Sequence, residues 1–167
     1  MKFDPVEICA ILSEENVDFV VLGGFAAVIH GSSLPTEDID LIPSREWANL
    51  ERLARALTRL DAKIRISGDA VATTLDADFI KNMPHMLNLV TKYGDLDLTF
   101  TPSGALKDYE GWRAQARQAQ LRDGLIVTVA SLDDIIASKQ AANRPKDHRA
   151  LPYLESLRDE LRRQSDV

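Results

Sequence analysis

A chain of 167 residues is long enough for one domain, or for one domain with a small helical extension. Its 45% hydrophobic and 28% charged content excludes collagen-like, disordered and coiled-coil chains, and no apolar run reaches the roughly 20 residues that a bilayer span needs. The net charge of -6 argues against a protein that coats nucleic acid, since neutralising phosphates takes a basic surface, but it leaves room for a local basic groove.

The start, Met1-Lys2-Phe3-Asp4-Pro5, lacks the long apolar core of a signal peptide, and the single cysteine, Cys9, has no internal disulfide partner. Both features lead to the expectation of a cytoplasmic protein. Cys9 lies among Val6, Ile8, Ile11 and Leu12 and reads as a small core residue.

Asp4 and Pro5 predict a helix start, N-cap followed by first helical residue, with the helix ending near Glu15-Asn16. Phe19 to Leu22 is a continuous apolar run, as in a strand covered on both faces. Gly23-Gly24 breaks it, and Phe25 to Ile29 resumes as a short helix with Gly31 at its C-terminal end. After the Ser32–Glu37 loop, Asp38 to Ile42 predicts a second strand stopped by Pro43. Ser44 is placed to cap a helix whose apolar stripe is Trp47, Leu50, Leu53, Ala54 and Leu57. Ala62 to Ser67 reads as a strand closed by Gly68-Asp69, and Ala70-Val71-Ala72 and Phe79-Ile80 as short helical turns.

Met86 to Thr91 and Asp95 to Phe100 form a hairpin around Tyr93-Gly94. The stretch from Lys107 to Gln120 is mixed, anchored by Tyr109 and Trp112. Leu125 to Val129 is a strand preceded by an Asp123-Gly124 turn, and Ser131 starts a helix in the manner of a capping box. Arg144-Pro145 interrupts it before an amphipathic helix carrying Leu151, Leu154, Leu157 and Leu161. The arginines from Arg113 to Arg122 and from Arg144 to Arg163 are interspersed with acidic or polar residues, the pattern of solvated helix faces. The expected fold class is α+β, a mixed sheet of about five strands with helices mostly on one face and a C-terminal helical pair. A core over 1–130 and a helical extension over 131–167 are the expected parts.

Two stretches carry chemistry. Strand residues alternate faces, with i and i+2 about 6.6 Å apart. In Asp38-Ile39-Asp40-Leu41 the two carboxylates therefore share one face, and Asp95-Leu96-Asp97-Leu98 repeats the arrangement. Either pair alone reads equally as the wet face of a half-exposed strand. Two such strands in one small chain shift the balance, because aspartate is disfavoured in strands. If the strands are neighbours, three or four carboxylates converge and call for a cation such as Mg²⁺.

Gly23-Gly24, a short helix and then Asp38-Ile39-Asp40 resemble the signature of the DNA polymerase beta-like nucleotidyltransferase superfamily: a Gly-Gly or Gly-Ser turn, a short helix, an Asp-x-Asp strand and a later third Asp. The run Gly23-Gly24-Phe25-Ala26-Ala27-Val28-Ile29-His30-Gly31 with Thr36-Glu37-Asp38-Ile39-Asp40-Leu41 is similar, more narrowly, to the AbiEii-type nucleotidyltransferases of abortive-infection and toxin–antitoxin systems. Ser131 to Lys139 and Arg144-Pro145-Lys146-Asp147 are similar to the second half of that group.

The resemblance implies that Gly23 and Gly24 hold a triphosphate and that Asp38, Asp40 and Asp97 bind Mg²⁺ (or Mn²⁺). Asp97 would also activate the incoming hydroxyl, with Asp95 as its substitute. Lys139 would neutralise phosphate from the opposite side, with Arg144 and Lys146 adding cationic contacts; Asp147 belongs to the same element. The implied activity is transfer of an NMP from an NTP to a hydroxyl of RNA (tRNA-like) or protein, with a cognate antitoxin protein as a partner and no membrane. The alternative is a catalytically weak or inactive fold member that binds nucleotide or a partner. Two departures motivate it: Gly24 stands where the better-known signature has serine, and Leu34 where relatives often carry arginine. His30 reads as structural, and His85 and His148 lack metal-ligand spacing.

Overall fold

The computed structural model describes residues 2–166. Asp4 caps α1 (Pro5–Glu14), accepting the Glu7 N–H at 3.2 Å, with Pro5 in the first turn. All four residues of β1 (Phe19–Leu22) are buried, as a continuous apolar strand requires. α2 (Gly23–Ile29) follows directly, and Gly31, at φ +114°, ends it. The Gly31 and Ser32 N–H groups donate to the carbonyls of Val28 and Ala27, both at 2.9 Å, closing a Schellman motif.

The remaining elements in order are β2 (Asp38–Pro43), α3 (Trp47–Arg59), β3 (Lys63–Ile66), β4 (Asp69–Val71), α4 (Ala77–Lys81), β5 (Met86–Thr91), β6 (Gly94–Thr99), α5 (Tyr109–Arg113), β7 (Arg117–Arg122), β8 (Leu125–Val129), α6 (Leu132–Ala142) and α7 (Pro145–Ser165). Among the described residues one mixed sheet runs β4-β3-β5-β6-β2-β1-β8-β7. β2 and β6 lie side by side and parallel, as do β1 and β8; the other neighbours are antiparallel.

The α+β class holds, but the sheet has eight strands where about five were expected. The two unforeseen strands lie at its edges. Ser67 and Gly68, both with positive φ, make a two-residue turn that folds β4 back on β3, so residues 69–71 are strand rather than a helical turn. All of β4 is exposed and presents no apolar face to read. Arg117–Arg122 pairs with β8 around Asp123-Gly124; as an edge strand it carries arginine and glutamine in place of an apolar alternation.

Ser44 does not cap α3. The N-cap position is Glu46, and Ser44 Oγ accepts only the Glu46 N–H, at 3.4 Å. Asn49, 1% exposed, ties this end of the helix down. Its amide donates to the carbonyls of Ser44 (2.8 Å) and Asp18 (3.0 Å), and its oxygen accepts the Asp18 N–H at 2.7 Å.

The main core gathers Ile8 and Leu12 of α1, Leu50, Leu53 and Leu57 of α3, Ile80 of α4 and Trp112 of α5 with Ile39, Leu41, Leu96 and Leu98 of the central strands. A smaller cluster of Ala27, Leu132, Ile136 and Leu154 joins α2 to the α6–α7 pair. Burying each of the leucine and isoleucine side chains contributes about 1.5–3 kcal/mol. Cys9 is fully buried, which raises its thiol to about 12 and leaves it an inert core group. Among the described residues no helix is long and apolar enough to cross a membrane.

Candidate active site

The parallel β2–β6 pairing sets Asp38 opposite Asp95 and Asp40 opposite Asp97. Because side chains alternate, this register stacks the carboxylates on one face and sends Ile39, Leu41, Leu96 and Leu98 into the core on the other. Asp38, Asp40 and Asp97 each offer a carboxylate oxygen within 4.8 Å of the others, and among the described residues no His or Cys joins them. Burial, reinforced by the charges of Asp38 and Asp97, pushes Asp40 up to about 7. Burial also raises Asp97, against the pull of the Arg65 guanidinium. Three hard oxygen donors set this close fit a divalent cation such as Mg²⁺ or Mn²⁺.

Gly23 starts α2 at φ +64°. A Cβ there would sit 2.3 Å from Asp40 Oδ2, so only glycine lets the backbone lie against this carboxylate. No side chain caps this end of the helix. At Gly24 a Cβ would lie 3.0 Å from Thr36 Oγ1, and the Thr36 hydroxyl donates to the Asp38 carbonyl at 3.0 Å. The hydroxyl missing at position 24 thus has that of Thr36 beside its place, and a side chain there would press on the contact that fixes the start of β2. The loop between α2 and β2 is pinned from α7: Tyr153 Oη accepts the Ser33 N–H at 3.0 Å and lies 3.0 Å from its hydroxyl. Leu34 remains 36% exposed.

The expected cations come from the α6–α7 junction. Asn143, in the left-handed region at φ 53°, turns the chain between the helices. Asp147 in the first turn of α7 is fully buried. Its carboxylate accepts the Arg144 backbone N–H (3.1 Å), Nε (2.7 Å) and Nη2 (3.2 Å), and Lys139 Nζ stands 3.6 Å away. Burial opposes ionisation, yet the Arg144 hydrogen bonds and the Lys139 charge hold Asp147 below the ordinary carboxylate range. Arg144 therefore has its guanidinium on Asp147. Lys139 and Lys146 are near enough to Asp40 for their charges to work against its raised pKa. The structure thus brings Asp38, Asp40, Asp97 and Gly23 together, with Gly24 adjoining; Lys139 and Lys146 reach Asp40 through their charges, and Arg144 is turned onto Asp147.

Arg65 joins the site from outside any motif of the sequence. Its Nη2 donates to Asp97 Oδ1 at 2.6 Å, and its Nη1 lies 3.0 Å from Asp95 Oδ2. Asp95 is thereby paired outside the trio. The signal was the alternation in Lys63-Ile64-Arg65-Ile66, which turns Arg65 away from the apolar face, but only the strand order shows what it meets. His30 is 9% exposed and its Nε2–H donates to the Ala130 carbonyl at 2.7 Å, a core contact. His85 and His148 bond to Thr101 and Asn143.

No family model and no curated protein sequence matches the chain. Solved structures do. The lincosamide antibiotic adenylyltransferase LnuA, in its lincomycin-bound crystal structure, aligns at TM-score 0.61 and 14% identity over 94% of this chain and 99% of LnuA. The antibiotic-resistance factor ANT(2'')-Ia aligns in solution at TM-score 0.57 and 17% identity, over 97% and 91% of the two chains. Its crystal structure with adenylyl-2''-tobramycin aligns at TM-score 0.52 and 18% identity, over 95% and 94%. At these identities the likeness is one of architecture, and the chain has the mixed α+β fold of these adenylyltransferases.

Proposed function

We propose that this protein is a metal-dependent nucleotidyltransferase that moves a nucleoside monophosphate from an NTP to a hydroxyl and releases pyrophosphate. The observation that supports this most is the meeting of Asp38, Asp40 and Asp97 within 4.8 Å, against a turn where only glycine fits beside Asp40. These three carboxylates would hold Mg²⁺ or Mn²⁺, which when bound neutralises phosphate charge and makes a hydroxyl easier to deprotonate. The chain's own groups do the rest. The backbone N–H groups of Gly23 and Gly24 hold phosphate oxygens at the start of α2. Lys139 and Lys146 balance the triphosphate charge, and Arg144, through Asp147, braces Lys139. Asp97 accepts the proton of the acceptor hydroxyl as its oxygen bonds to the α-phosphorus and the bond to pyrophosphate breaks.

The resemblance of residues 23–41 and 131–147 points to RNA (tRNA-like) or protein as acceptor, and to the toxin of a toxin–antitoxin or phage-defence system with a cognate antitoxin. A small-molecule hydroxyl is the second reading. The match over nearly the whole of both chains to LnuA, a lincosamide antibiotic adenylyltransferase, and to ANT(2'')-Ia, solved with adenylyl-2''-tobramycin, supports it. Incubation with each of the four α-labelled NTPs, Mg²⁺ and in turn total RNA, cell protein, lincomycin or tobramycin separates the acceptors. Label should move to one class and vanish in Asp38→Asn/Asp40→Asn. Metal-dependent NTP binding with no transfer to any acceptor would favour the binding-module alternative.

A further inference from the structure

Arg65 is built into the carboxylate face from a distance. It sits on β3, and β5 lies between it and β6. Ile64 pairs with Leu89 and Asn88 with Asp97, so Arg65 stands beside Asn88 in the row that continues through Asp97 to Asp40. Its guanidinium makes three contacts: Nη2 to Asp97 Oδ1 at 2.6 Å, Nη1 to Asp95 Oδ2 at 3.0 Å, and Nη1 to the Leu89 carbonyl at 2.9 Å. The Arg65 side chain is 22% exposed and that of Asp97 10%. A planar fork held at three points fixes the carboxylate it grips, which a single ammonium could not do.

The cost of this arrangement is electrostatic. A guanidinium on Asp97 cancels part of the negative charge that attracts a divalent ion, so it works against cation binding while it fixes geometry. We propose that Arg65 is a positioning residue of the nucleotidyl-transfer site: by engaging Oδ1 of Asp97 and bracing Asp95, it leaves Asp97 one defined oxygen for the acceptor hydroxyl, and it does so at the expense of metal affinity. The proposal rests on the functional reading above.

The two effects have opposite signs, which makes them separable. Calorimetric titration with Mn²⁺ alone reads the first. Pyrophosphate release from an equimolar mixture of the four NTPs, with water as acceptor, reads the second. Arg65→Gln should bind Mn²⁺ several-fold more tightly than wild type while kcat falls by about 10–100-fold, the range for groups that orient metal ligands. Arg65→Lys, which keeps the charge without the fork, should keep wild-type Mn²⁺ affinity and recover only part of kcat. Weaker Mn²⁺ binding in Arg65→Gln together with a lowered melting temperature would reduce Arg65 to a structural clamp and overturn the proposal. If Arg65→Gln does not fold, Arg65→Lys decides: full wild-type kcat overturns the proposal, since charge alone then suffices. Unchanged affinity and rate in both variants of a protein that binds Mn²⁺ would overturn this proposal alone. Failure of the wild type to bind Mn²⁺ would overturn the functional reading as well.

Discussion

Asp40 ionises reluctantly because it is buried and faces the charges of Asp38 and Asp97, which together place it near 7 against an ordinary 3.8. A carboxylate whose pKa is higher folded than unfolded favours folding below the unfolded value, and that advantage is lost as pH rises through the folded value. Metal-free protein should therefore lose stability between about pH 4 and pH 7 on account of this group. Asp40→Asn should melt with wild type near pH 4 and above it at pH 8, by about 2 kcal/mol or roughly 4–8 °C. Thermal unfolding in chelator at both pH values checks this, and a variant less stable than wild type at pH 8 would contradict it. Gly23 faces the same carboxylate from the backbone side. Gly23→Ala forces a side chain into the left-handed region and a methyl onto Asp40 Oδ2, and should cost about 1–3 kcal/mol by denaturant unfolding while weakening Mn²⁺ binding. Wild-type behaviour in both measurements would show that the turn is not held against Asp40.

Elements differ in how plainly their sequences announce them. β2 and β6 alternate Asp with Ile or Leu, and a strand that is apolar on one face and acidic on the other could be read before its partner was known. The Gly-Gly turn, α2 and its Gly31 stop were legible for the same local reason. β7 was not, because a strand paired on one side has no need of an apolar alternation. Arg65 was hidden differently: its residue type is ordinary on an exposed strand, and its meaning comes from pairings 24 and 32 residues away in sequence. The α6–α7 junction lies between these cases. Arg144, Lys146 and Asp147 stood out as a charged motif, but that Asp147 is the buried hub came only from packing. Asp147→Ala strands Arg144 and frees Lys139, and should lower stability by about 1–3 kcal/mol in urea unfolding. No change in the midpoint would mean that the junction does not rely on that carboxylate.

At the scale of the whole molecule, the sheet order makes the site. Chain order would not place β2 against β6, yet their parallel contact brings the third carboxylate to the first two, and α2 closes over the same edge with Gly23. α6 and α7 return from the far side of the sequence to set Lys139 and Lys146 within electrostatic reach of Asp40. At the two edges β4 and β7 extend the sheet, and β4 pairs with the strand that carries Arg65. On this reading Asp38, Asp40 and Asp97 work as one divalent-cation centre for a nucleotide. Calorimetric titration with a non-hydrolysable NTP, with and without Mn²⁺, on wild type and on Asp38→Asn, Asp40→Asn and Asp97→Asn tests it most directly. Nucleotide binding should require Mn²⁺ and be weakened about tenfold or more by each substitution. Nucleotide binding that is indifferent to Mn²⁺, or an Asp97→Asn protein that binds as wild type does, would contradict it.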